Sequence, residues 1–133
     1  MCWFLYGAIN GQVDEDDLAA INARHECHII KGTCHNLKMA ILNDGWDYRL
    51  TSKYCDCDSE VGRHDPSASL VKDLSALLTD VCALTGSDTV SFSHTWVNTR
   101  NKHEKAMKLS NVDWPQLLAD LEPSTLYTVD CRK

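Results

Sequence analysis

The sequence predicts an α+β fold: about five strands in a largely antiparallel or mixed sheet, with three helices packed on it. Three observations predict it. Several segments alternate apolar and polar residues, two segments repeat leucine at helical spacing, and an Asp44-Gly45 pair stands between two alternating stretches. The 133 residues are expected to form one domain over 1–133, long enough to bury a core unaided by disulfides.

The elements follow in order. Residues 3–9 (WFLYGAI) are apolar nearly throughout, as in a strand buried on both faces, and Gly11 then turns the chain. Residues 14–24 predict a helix, because acids at 14–17 suit the positive end of its dipole and Leu18 and Ile21 share a face. Residues 26–34 (ECHIIKGTC) predict a second strand, interrupted by Gly32. A β-hairpin is expected over 37–51. Leu37, Met39 and Ile41 alternate on its first arm, Trp46, Tyr48 and Leu50 on its second. Asp44-Gly45 tolerates the positive φ of a type I′ turn, which sets Ile41 opposite Tyr48 and Met39 opposite Leu50.

An acidic loop follows at 56–66. Asp65-Pro66 suits a helix N-cap and first turn, and the helix is expected to run to Leu84, with Leu70, Leu74, Leu77 and Val81 along its stripe. Gly86 is placed to stop it. Residues 89–98 alternate Val90, Phe92, His94 and Trp96 with Ser91, Ser93 and Thr95, predicting a half-buried strand. The densest basic stretch, RNKHEKAMK at 100–108, reads as a solvated connection. Asp113 and Gln116 start a third helix carrying Trp114, Leu117, Leu118 and Leu121, and TLYTVDC at 125–131 closes as a strand.

Composition excludes some functions. A net charge of −6 and a pI of about 5.4 repel phosphate backbones, so nucleic acid is not an expected partner. No apolar run reaches the roughly 18 residues of a membrane span, so no membrane partner is expected either. A protein partner or a homo-oligomer stays open. The opening MCWFLYGAING has no basic leader, and seven cysteines without one imply reduced thiols and a cytoplasmic location. Phosphate-cradling loops, zinc-protease helices and serine-hydrolase elbows have no match. The sequence names no reaction.

What remains is the thiols. In SKYCDCDSE at 52–60, Cys55 and Cys57 stand two apart on the hairpin's second arm, and the expected register brings Cys34 across from Cys55. Facing Cβ atoms in a sheet lie roughly 4.5–5.5 Å apart, so three thiols would share one patch. Zinc takes such thiolates tetrahedrally, with the fourth ligand from Cys27, His35, His28 or His25. The first expectation is therefore a structural zinc module with Cys34, Cys55 and Cys57 as ligands and His35 or Cys27 among the candidates for the fourth. The alternatives are a thiol-redox protein using the same cysteines, and a non-enzymatic interaction domain using exposed sheet or tryptophans. Cys82 reads as packing on the long helix, Cys131 as exposed near the end of the chain, and His94 as a core histidine or a general base if it lines a pocket.

Overall fold

Strand β1 (Trp3–Gly11) runs through the middle of a mixed sheet. The computed structural model describes residues 3–11, 13–26, 29–31, 46–50, 59–84, 86–96 and 105–132. After β1 come α1 (Glu15–Asn22), β2 (Ile30–Lys31), β3 (Trp46–Arg49), α2 (Ser69–Cys82), β4 (Ser87–Trp96), β5 (Lys105–Ser110), α3 (Trp114–Ala119) and β6 (Thr125–Asp130). The sheet order is β2-β3-β1-β4-β6-β5. Its neighbours are antiparallel except β5 and β6, which run parallel and are joined through α3.

One face of the sheet makes the core. Leu5, Ile9, Val90, Phe92, Tyr127 and Val129 take alternate positions on β1, β4 and β6, and they pack against Val71, Leu74, Leu77, Leu78 and Val81 of α2 and Leu118 of α3. Phe92 sits at the centre, its ring centroid 5.8 Å from Trp114 and 5.6 Å from Tyr127. Gly7 shares this face. A Cβ there would stand 2.8 Å from the Ser91 carbonyl oxygen and 3.3 Å from the buried Leu50 side chain, so the missing side chain is what seats Leu50 over β1.

Local chemistry sets the helix ends. Asp14 caps α1, its carboxylate accepting the Asp16 N–H at 2.8 Å. Asn22 then ties the helix to the sheet: its amide donates to the Ile29 carbonyl at 2.8 Å and accepts the Ile29 N–H at 2.9 Å. The expected cap of the long helix is corrected. Asp65 folds back on a turn of its own, accepting the Ser67 N–H at 3.0 Å and its hydroxyl at 2.7 Å. The helix starts later, at Ser69, and the carboxylate of Glu60 accepts the Leu70 N–H at 3.2 Å. Gly86, at φ 89°, turns the chain out of α2 into β4 as expected. Asp113 caps α3 and accepts the Gln116 N–H at 3.4 Å.

Three expectations change. The second arm of the hairpin is present as β3, where Tyr48 pairs with Gly7 of β1 on one edge and with Lys31 of β2 on the other. The first arm, 37–42, and the Asp44-Gly45 turn lie outside the described residues. The basic stretch is partly a strand: β5 begins at Lys105 and makes six described strands rather than five. Its lysines suit an outer strand, where charge faces water while the backbone pairs on one side. The third change concerns the thiols. Thr89 pairs with Asp130, which brings Cys131 beside the start of β4, just past the end of α2; the Cys131 N–H donates to the Asp88 carbonyl at 2.8 Å. There Cys131 forms a disulfide with Cys82, Cα to Cα 5.1 Å. Among the described residues, no helix is long and apolar enough to cross a membrane.

Candidate functional site

The segment KAMKLS carries the site because strand geometry divides it. Side chains alternate across a strand, so Lys105, Met107 and Leu109 lie on the α3 side and Ala106, Lys108 and Ser110 on the opposite side. Every side chain of β5 is exposed except Leu109, which is half-buried. At 41% exposure, Met107 is the one large apolar side chain left open among the described residues. β5 ends the sheet, and among the described residues it pairs only with β6. Its outer edge thus presents a row of backbone donors and acceptors.

A groove adjoins β5 on each face. On the α3 side a cleft of about 400 Å³ has a floor of Met107, Leu109, Val112, Leu117 and Tyr127, with Asp113, Gln116, Asp120 and Glu122 around it. On the opposite face a groove of about 510 Å³ is lined by Asn10, Thr89, Ser91, Lys108, Ser110, Thr128, Asp130 and Arg132, among others. This second groove is largely self-satisfied. The Ser91 and Thr128 hydroxyls are 3.0 Å apart, and Arg132 forks onto Asp130 through Nε at 3.1 Å and Nη2 at 3.2 Å. That fork and the Arg132 N–H hold the Asp130 carboxyl below the usual carboxylate range. Desolvating it would break pairs already made, whereas the first cleft offers apolar surface that gains from being covered.

The first cleft is held open by α3 and what supports it. The loop before α2 docks on the end of that short helix, where Gly62 and His64 donate backbone N–H groups to the Leu118 and Ala119 carbonyls at 2.9 and 2.8 Å. His64, at φ 61°, also places its Nδ1 2.9 Å from Asp120 Oδ1, and the Gln116 amide donates to Asp120 Oδ2 at 2.6 Å. The His64 hydrogen bond first, then that from Gln116, lowers the Asp120 pKa. A depressed carboxylate keeps its charge above the unfolded pKa and loses it, with its stabilising hydrogen bonds, only as pH falls through the lower folded value. Asp120 therefore keeps its charge further into acid than an ordinary carboxylate. His64→Ala is expected to raise the Asp120 pKa toward the ordinary carboxylate value, as read by carboxyl-carbon NMR titration; an unmoved pKa would refute that cause.

The residues singled out by sequence fall elsewhere. Cys34, Cys55, Cys57, His35 and Cys27 all lie outside the described residues, as does His28. His25, the remaining ligand candidate, gives its Nε2 to the Asp80 carboxylate on α2, which also lies 3.8 Å from Arg24. His94 is half-buried on β4, and its carbonyl accepts the Ser124 N–H at 2.9 Å. Among the described residues, no group of three or more His, Cys, Asp or Glu side chains is placed to hold a metal ion. The β5 edge was overlooked in the sequence, although Met107 and Leu109 alternating with Lys108 gave a signal for it. Comparison with protein-family models, curated proteins and solved structures finds no match for this chain.

Proposed function

We propose that this protein is a binding module that takes an extended segment of a partner protein as an added strand along β5. One observation carries the reading: an outer strand whose far backbone edge has no partner among the described residues and runs beside an open apolar cleft. In strand addition the main-chain hydrogen bonds supply affinity, and alternate side chains of the incoming segment supply specificity in pockets on one face. A bare edge also invites pairing between copies. Lys105 and Lys108 oppose that, because like charges on facing strands repel. Zinc binding or thiol exchange at Cys34, Cys55 and Cys57 rests on the residue pattern alone.

The reading is tested by selecting peptides from a random displayed library against the purified protein. Selected peptides are then remade with N-methyl groups at alternate residues, once along each backbone edge. One of the two sets is expected to lose at least about tenfold in affinity, because it removes the ladder donors while keeping every side chain. Equal affinity of both methylated forms with the parent would overturn strand addition.

A further inference from the structure

The shape and charge of the cleft specify the segment further. Its floor is apolar, with Met107 open to solvent and the Tyr127 hydroxyl already accepting the Glu122 N–H at 2.8 Å, so the tyrosine offers its ring. Among the described residues its rim holds three carboxylates, Asp113, Asp120 and Glu122, and the Lys105 ammonium lies 3.3 Å from Glu122. Asp113 and Asp120 are the N-cap and C-cap of α3, and therefore bracket the cleft at opposite ends of the helix. Seven residues of helical rise set them roughly 10 Å apart along the axis. On a strand, residues i and i+4 project to the same side roughly 13 Å apart, a span that flexible cationic side chains adjust to easily.

Resting on the strand-addition reading, we infer that β5 takes a segment with the pattern basic–x–apolar–x–basic. The apolar side chain enters the cleft over Met107 and Tyr127, and the two flanking cations meet Asp113 and Asp120. The chain's own charge of −6 favours the approach of such a segment. A second copy of this protein fits less well, since its β5 would present Lys105, Met107 and Leu109 on that side, one cation in place of two.

The probes are two synthetic ten-residue peptides with identical Thr spacers, one centred on Arg-Thr-Leu-Thr-Arg and the other on Glu-Thr-Leu-Thr-Glu. Affinity is measured by fluorescence anisotropy at low and high salt, and contact by amide shifts of the isotope-labelled protein. The Arg-flanked peptide is expected to bind at least about tenfold tighter, to lose that advantage at high salt, and to shift the amides of 105–110. Asp113→Asn with Asp120→Asn should weaken it roughly threefold to tenfold, the range expected for two exposed ion pairs. Asn still caps α3, and an unchanged amide pattern elsewhere confirms the fold. If the Glu-flanked peptide binds β5 equally well or better, the charge pattern is wrong and strand addition stands. If neither peptide moves the amides of 105–110, the inference fails, and loss of strand addition itself is then read from the methylated library peptides. Amide shifts at β5 that depend on protein concentration alone would assign the edge to a second copy and overturn the inference.

Discussion

Replacing Cys82 and Cys131 together by serine is expected to cost about 4 kcal/mol of stability, because their disulfide closes a loop with a sequence separation of 49. For a chain of this size that is a fall in Tm of roughly 10–20 °C, measured by thermal unfolding followed by circular dichroism. Reducing agent should produce the same fall in the parent protein and none in the double variant. The bond joins the end of α2 to the residue after β6, so its loss removes the covalent tie between that helix and the strand on which β5 is laid. A Tm that moves by less than a few degrees would show that the sheet and helices hold this junction without it. The same pairing sets a thiol count. Of seven cysteines, the two bonded ones leave at most five to titrate in the denatured, unreduced chain.

Phe92→Ala is expected to lower stability by about 3–5 kcal/mol, read from urea denaturation. Phe92 is fully buried and packs on both Trp114 and Tyr127, so the change empties the space between β4, β6 and α3. Aromatic pairs contribute roughly 0.5–1.5 kcal/mol beyond the area they bury, which puts Phe92→Leu at a smaller but measurable loss. Tyr127 also floors the cleft beside β5. Phe92→Ala should therefore weaken peptide binding even where the chain is still folded, and Phe92→Leu should largely preserve it. Equal stability of Phe92→Ala and the parent would refute the position of Phe92 at the centre of the core.

How legible this was depends on which forces act locally. The helix 15–22 with its acidic first turn, the helix 114–119 with its Asp113 cap, and the strands around Val90 to Phe92 and Tyr127 to Val129 were readable, since end signals and periodicity are short-range. The start of α2 was misplaced because Asp65 closes its own turn and leaves capping to Glu60, which is distant in sequence. The hairpin register was inferred from the Asp44-Gly45 turn and local alternation, signals that do not show that β1 takes one edge of β3 and Ile30–Lys31 the other. The disulfide was hidden for the same reason, since the β4–β6 register that brings Cys131 to Cys82 is a long-range pairing. The candidate site was missed because lysines made an outer strand look like a solvated connection. An edge can be recognised only when the sheet's order is known.

The central claim is that β5 accepts a strand, and amide hydrogen exchange over residues 105–110 tests it most directly. In the protein alone, the β5 amides turned away from β6 should exchange quickly while those bonded to it are protected. On adding a saturating library-selected peptide, the outward amides of β5 are expected to slow by roughly tenfold or more, with no change at Thr89 or Ser91 in the groove on the opposite face. A peptide that binds tightly yet leaves every outward amide of β5 exchanging at its original rate would contradict strand addition.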